Sequence, residues 1–324
     1  MPNLKSIQSV KVKGLWEQYD VFLNLEPEVN ILLGINGSGK STLLKLIEGL
    51  LAWNIKRLLH YCDQMKITFD NGAQFTFGWI SDESVEAPFI SFKDDTNEWI
   101  KVDGQEHILL SGENATLLNT PLPSLYYSRI STFDNELKEK ETINKLTNEK
   151  VNTELDWQIW QLEKKYLAYQ LTISDRVEDL LNEDKPLNFK KLSQEVRKQK
   201  KLFEQYINQL FAQTGKIISS NKNKEIVFRH QTGRNVTPYE LSSGEKQILV
   251  ILLKVLLQDN QPHILLLDEP EISMHLSWQV DLIDLIRELN PNCQVIIATH
   301  APAVIKKGWK DKILKMDDLL TECN

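Results

Sequence analysis

Gly34-Ile35-Asn36-Gly37-Ser38-Gly39-Lys40-Ser41-Thr42 stands between two apolar segments of different kinds. Before it, Val29-Asn30-Ile31-Leu32-Leu33 reads as a buried strand. After it, Leu43-Leu44-Lys45-Leu46-Ile47-Glu48-Gly49-Leu50-Leu51 reads as an amphipathic helix. The spelling is G-x-x-x-x-G-K-[ST], in which glycines let backbone N–H groups curl round a phosphate in front of the positive end of a helix dipole. In that pattern Lys40 reaches the β- and γ-phosphates and the Ser41 hydroxyl takes Mg2+. The candidate ATP-binding residues here are Asn36, Gly37, Ser38, Gly39, Lys40, Ser41 and Thr42. The alternative is a glycine-rich turn that merely joins strand to helix. The agreement of strand, loop, Lys-Ser-Thr and helix favours the phosphate site.

Composition narrows the class. The 324 residues are 41% hydrophobic and 26% charged, ordinary for one large or two modest globular domains. A formal net charge of -7 argues against a protein that coats nucleic acid with its whole surface, though not against one with a local basic face. Apolar runs such as Ile248–Leu257 are too short or too interrupted for a membrane span. Met1–Ser6 has no apolar core of a signal peptide. The 3 cysteines, Cys62, Cys293 and Cys323, form neither a zinc spacing nor a disulfide framework. A cytoplasmic protein with free thiols is the expectation.

Upstream of the loop, Val10–Lys13 and Val21–Leu25 alternate as half-buried strands do. Trp16 and Tyr19 lie between them, placed either to stack on adenine or simply to pack a strand edge. Downstream, Met65–Phe69 and Gln74–Phe77 flank Asp70-Asn71-Gly72, a strong hairpin signal. With Phe89–Phe92 and Trp99–Val102 they predict an antiparallel meander, and 124–130 reads as a further strand.

Long helices follow. Leu155, Ile159, Leu162, Tyr166, Tyr169 and Ile173 keep a four–three spacing. A second run over about 187–212 carries Leu192, Val196, Phe203, Ile207 and Leu210, and Asn182–Pro186 breaks the two apart. This predicts an antiparallel helical hairpin inserted at 135–214. It holds a basic cluster, Lys185, Lys190, Lys191, Arg197, Lys198, Lys200 and Lys201, which reads as a nucleic-acid or acidic-partner contact or as a solvated face. Short strands at Ile217-Ile218 and Ile226–Phe228 lead into the last third.

There His263-Ile264-Leu265-Leu266-Leu267-Asp268-Glu269-Pro270 reads as a central parallel strand ending in paired carboxylates. Asp268 is placed to hold Mg2+, and Glu269 to orient or deprotonate an attacking water. Val295–Thr299 is another buried strand, with His300 at the same end, positioned for the γ-phosphate and that water. Catalytic candidates are therefore Glu269 and His300, and metal candidates Ser41 and Asp268. Ser242, Ser243 and Gly244 open an apolar helix. They form either a simple cap completed by Glu245, or an anion site that a second subunit's nucleotide would use.

In this order the motifs resemble those of ABC-type ATPases. Gly34–Thr42 is similar to the Walker A motif, Leu241–Gln247 to the signature loop and Ile264–Glu269 to Walker B. Glu271–His275 is similar to the D-loop, and Thr299-His300 to the switch histidine. The resemblance covers about 1–134 and 215–316. It implies an α/β P-loop fold with a mixed sheet, an antiparallel β subdomain and a helical-hairpin insertion. The implied organisation is an N-terminal ATPase lobe (1–134), the insertion (135–214) and a C-terminal ATPase lobe (215–324). The family usually has a glutamine after the strand at 125–130; Ser131-Thr132-Phe133-Asp134 stands there instead, so no Q-loop residue is assigned.

The spellings Ser242-Ser243-Gly244-Glu245-Lys246-Gln247 and Thr299-His300-Ala301-Pro302 resemble the soluble RecF, SMC and OLD group. They are most similar to small AAA-type ATPases of bacterial anti-phage defence, the PtuA-like proteins. That resemblance implies ATP and Mg2+ as cofactors and a homodimer or higher oligomer with composite ATP sites. OLD proteins carry a nuclease after the ATPase, and the stretch from His300 to Asn324 has no room for one. The expectation is thus a regulator of a separate effector protein, a nuclease or toxin. The alternatives are a RecF- or SMC-like DNA repair or chromosome ATPase, with nucleic acid as partner, and a transporter's nucleotide-binding subunit.

Overall fold

The computed structural model describes residues 4–82, 85–95, 97–103, 108–111, 114–116, 127–131, 151–182, 189–305 and 308–323. The chain forms two compact units, the first of Met1–Ser131, Pro262–Glu269 and Asn292–Asn324, the second of Thr132–Gln261 and Pro270–Pro291. The Q-loop position at 132–134, most of the joint between the two helical runs and Lys185 lie outside the described residues, as do the side chains of Lys190 and Lys191.

The first unit opens with β1 (Ile7–Leu15), β2 (Tyr19–Asn24) and β3 (Val29–Leu33). The helices α1 (Lys40–Leu51) and α2 (Ile55–Leu59) follow. Next come β4 (Gln64–Phe69), β5 (Gln74–Asp82), β6 (Val85–Lys93), β7 (Asn97–Val102), β8 (Ile108–Ser111), β9 (Asn114–Thr116) and β10 (Tyr127–Ser131). Parallel and antiparallel pairing are segregated into separate sheets. The predicted meander is part of a nine-stranded antiparallel sheet that runs from β2 through β1 and β4 to β9, with a C-terminal strand, Leu320–Glu322, on its β2 edge. Its hairpin at Asn71-Gly72 closes as expected: Gly72 adopts φ +85°, and Phe69 N–H donates to Ala73 O at 2.9 Å.

One face of that sheet and α1 share a core. Leu43, Leu44, Leu46, Ile47 and Leu50 of α1 are fully buried. Phe75 collects Trp53, Phe69 and Phe92 around it, with ring centroids at 5.1, 6.1 and 4.7 Å. Each fully buried Leu, Ile or Phe contributes about 1.5–3 kcal/mol, and this cluster ties the loop-bearing helix to the sheet.

In the second unit α3 (Glu154–Asn182) buries Leu155, Ile159, Leu162, Tyr166, Tyr169 and Ile173, the seam that the spacing predicts. The second helical run is divided at Arg197 into α4 (Phe189–Val196) and α5 (Lys198–Phe211), and Phe203, Ile207 and Leu210 are buried. Of the basic cluster, Lys200 is turned inward: its Nζ donates to Gln170 at 3.0 Å and lies 5.8 Å from the centroid of the Tyr166 ring. A small sheet of β11 (Lys216–Ser220), β12 (Ile226–His230) and β13 (Asn235–Val236) leads to α6 (Ser243–Leu256). α6 is buried on nearly every side, as the apolar run Ile248–Leu253 requires, and α3, α5 and α7 (Leu276–Leu289) pack against it.

The remaining strands, β14 (His263–Asp268), β15 (Cys293–Thr299) and β16 (Ile313–Lys315), return to the first unit. They form a parallel sheet in the order β10-β14-β15-β3-β16. Its members β14 and β15 carry the buried apolar runs Ile264–Leu267 and Val295–Ala298, as strands covered on both faces do.

Candidate nucleotide-binding site

The strand order does the first part of the assembly. β15 lies between β14 and β3, and the register pairs Asp268 with Ala298 and Thr299 with Leu33. Three strands therefore end at one level of one sheet edge. The chain leaves them through Glu269, through His300 and through the Gly34–Gly39 loop.

The loop itself has the backbone that its glycines permit. Gly37 and Gly39 take φ +86° and +95°, and Gly39 caps the N-terminus of α1. A Cβ at Gly39 would come within 2.8 Å of the Trp16 ring, so Trp16 lies directly against the loop. Lys40 is 3% exposed, and its Nζ donates to the carbonyls of Gly34 and Ile35, both at 2.9 Å. The ammonium is thus held within the curl of the loop.

Beside it, Ser41 Oγ donates to Asp268 Oδ1 at 2.6 Å. A hydroxyl and a carboxylate at this separation are the hard oxygen donors that Mg2+ takes when phosphate and water complete its shell. Among the described residues no cluster of three or more His, Cys, Asp or Glu could hold a metal ion. Asp268 also accepts from Arg129 Nη2 at 2.8 Å through its other oxygen, Oδ2. Sequence reasoning missed Arg129. Its signal was the one charged residue of the strand read at 124–130, where a charge is buried only at a cost unless it is paired.

Glu269 and His300 come together as expected. His300 Nδ1 is 3.5 Å from Glu269 Oε1, and the imidazole is half exposed. The backbone of Glu269 is left-handed, at φ +48°, and its N–H donates to Ala298 O at 2.8 Å. A non-glycine residue in this conformation stores strain that the neighbouring strand must hold. The two adjacent carboxylates have different partners, Ser41 and Arg129 for Asp268 and His300 for Glu269.

Ser242, Ser243 and Gly244 belong to the second unit. Ser242 and Glu245 cap α6 reciprocally: Glu245 Oε2 accepts from Ser242 N–H at 3.0 Å, and Glu245 N–H donates to Ser242 Oγ at 3.4 Å. Glu245 Oε1 accepts from Lys216 at 2.7 Å and from Thr214 at 2.6 Å. Burial raises the Glu245 carboxyl pKa, but these hydrogen bonds outweigh it and hold the group below its ordinary range. Lys246 pairs with Asp156 at 2.7 Å, and Gln247 Nε2 donates to Pro270 O at 2.6 Å. Gly244 leaves no room for a side chain, since a Cβ there would lie 2.2 Å from Ser273 O.

Residues 29–306 match the family described as "AAA domain, putative AbiEii toxin, Type IV TA system", a span that holds the Gly34–Gly39 loop, Asp268, Glu269, His300 and Ser242–Gly244 but not Trp16. The chain belongs to that AAA-domain family. Septu protein PtuA of Bacillus thuringiensis is 24% identical over 96% of this chain and 75% of its own length. The Retron Vc95 probable ATPase of Vibrio cholerae is 26% identical over 28% of this chain and 20% of its own. EcfA2, an energy-coupling factor transporter ATP-binding protein of Methanospirillum hungatei, is 35% identical, but over 25% of this chain and 19% of its own. Likeness to the transporter protein is thus confined to a short stretch, whereas likeness to PtuA runs through the helical insertion of this AAA-domain protein as well. Among its described residues no helix is long and apolar enough to cross a membrane.

Proposed function

We infer that this AAA-domain protein binds and hydrolyses ATP at the edge of its parallel sheet and uses the cycle to regulate a separate effector protein. The observation that carries the enzymatic part is the convergence of Lys40, the Ser41–Asp268 pair and the Glu269–His300 pair on one sheet edge.

Lys40 and the N–H groups of the loop bind the β- and γ-phosphates, and Trp16, pressed on Gly39, offers a ring for the adenine. Ser41 and Asp268 hold Mg2+, which when bound neutralises charge on the phosphates. Glu269, on its strained backbone, orients the attacking water and takes its proton; His300 holds that carboxylate and donates to the γ-phosphate. The effector role rests on similarity to PtuA along nearly the whole chain and on the motif spellings shared with small defence ATPases.

The test compares Lys40→Ala, Glu269→Gln and His300→Ala in purified protein. Lys40→Ala should bind fluorescent ATP poorly. Glu269→Gln and His300→Ala should bind it normally and turn over slowly, the former by roughly 10²–10⁴-fold. Near-normal hydrolysis by Glu269→Gln, with Lys40→Ala silent as the contamination control, would overturn the assignment.

A further inference from the structure

Asp268 has two oxygens, and the structure uses them differently. Oδ1 faces the Ser41 hydroxyl at 2.6 Å, whereas Oδ2 accepts from Arg129 Nη2 at 2.8 Å. Arg129 enters from β10, whose parallel register pairs Arg129 with Leu266 and Ser131 with Asp268, so the guanidinium runs along the sheet to reach the far side of the carboxylate. Its Nη1 lies 3.4 Å from Glu48 Oε2 on α1, and the same oxygen accepts from Arg57 Nη1 of α2 at 2.5 Å. Charges therefore alternate from the buried Asp268 through Arg129 and Glu48 to Arg57, which is 38% exposed. The Nε–H of Arg129 is buried with no acceptor among the described residues, so the guanidinium is held by these two carboxylates at some cost.

A fixed positive charge directly behind a metal-facing carboxylate weakens that carboxylate's field at the metal. The effect is large here because both groups are poorly exposed and little screened. Mg2+ gives up its water reluctantly and needs concentrated negative charge to do so. With Asp268 largely neutralised, that charge has to come from the triphosphate.

We propose that Arg129 is a positioning residue that makes metal binding conditional on nucleotide. It fixes the orientation of Asp268 toward Ser41 and lowers the affinity of the pair for a bare divalent cation, so that Mg2+ and ATP are held together or not at all. Glu48 sets the strength of the effect by sharing the charge of Arg129. This rests on the nucleotide reading of the site, but its first test does not require nucleotide.

Mn2+ serves as the probe, its free ion followed by electron paramagnetic resonance in the full-length protein without nucleotide. Arg129→Met should bind Mn2+ roughly tenfold more tightly than wild type, from loss of a close, weakly screened charge. Arg129→Lys should stay near wild type. The gain should vanish in the double variant Arg129→Met/Asp268→Asn. Unchanged or weaker Mn2+ binding in Arg129→Met with a wild-type melting profile overturns the proposal, as does a gain that survives loss of Asp268. Should Arg129→Met not fold, Glu48→Gln decides by the opposite sign. Leaving the charge of Arg129 uncompensated should raise the Mg2+ concentration that half-saturates fluorescent-ATP binding, and an unchanged or lower requirement overturns the proposal. Binding of fluorescent ATP that is insensitive to Lys40→Ala counts against the nucleotide reading alone.

Discussion

His263 stands at the start of the strand that ends in Asp268, at the opposite end from the candidate site. Its Nε2 shares a hydrogen bond with Ser128 Oγ at 2.9 Å, and burial lowers the imidazole pKa from 6.5 to about 4. The sign of the pH effect follows. Below pH 6.5 the unfolded chain takes up a proton that the folded chain refuses until about pH 4. Stability is therefore full above pH 6.5 and falls as pH drops through that window, by a ceiling of roughly 3 kcal/mol for a shift of this size. Urea unfolding of wild type and His263→Gln at pH 7, 6, 5 and 4 checks this, and His263→Gln should lose less stability across the series. Parallel losses in the two proteins would remove His263 as the cause. At this scale the legible residues were those whose type announces chemistry: Lys40, Asp268, Glu269 and His300. Arg129 and Glu48 were not legible, because their significance is a partner 139 and 81 residues away from Arg129 in the chain.

Elements follow the same division. The seam of α3 and the Asn71-Gly72 hairpin are local periodicities, readable because 3.6- and 2-residue repeats and left-handed turn glycines are properties of a few neighbouring residues. The start of α6 is different. Ser242 and Glu245 form a cap that any helix could have, but Lys246 and Asp156 form a buried ion pair between α6 and the first turn of α3. Asp156 also accepts from the N–H groups of Asn152 and Thr153, so it caps its own helix while holding the other. Lys246→Met should cost about 3–5 kcal/mol, because it strands a buried carboxylate. Adding Asp156→Asn to it should recover part of that loss by removing the stranded charge. Denaturant unfolding of the single and double variants measures both. A single variant within 1 kcal/mol of wild type, on the scale of an exposed pair, would show that Asp156 finds water when Lys246 is gone.

For the whole molecule, the question is how many copies complete an ATP site. Two helix N-termini in this chain, those of α1 and α6, carry Gly and Ser in a form suited to phosphate, and one nucleotide needs only one of them from a given subunit. We propose that Ser242–Gly244 serves the nucleotide of a second copy and that ATP binding, not hydrolysis, joins the pair. Glu269→Gln with ATP and Mg2+ should double in mass by light scattering, and Ser243→Arg should remain at the mass of the apo protein. An ATP-independent mass together with normal turnover in Ser243→Arg would refute the composite site.

The amino-acid sequence by itself determined the chemistry on offer. Loop glycines, a Lys-Ser pair, two adjacent carboxylates and a histidine are each set by residue type and by the end of the strand or helix they terminate, which is local information. It also determined the family, through motif order. Only the tertiary structure decided which of these groups meet. The strand order β14-β15-β3 brings three distant chain segments to one edge and sets His300 beside Glu269. β10 beside β14 delivers Arg129 to Asp268. Pairing between strands remote in sequence depends on burial of whole faces, not on any short pattern, so the counter-charge behind Asp268 became visible only once the sheet was assembled.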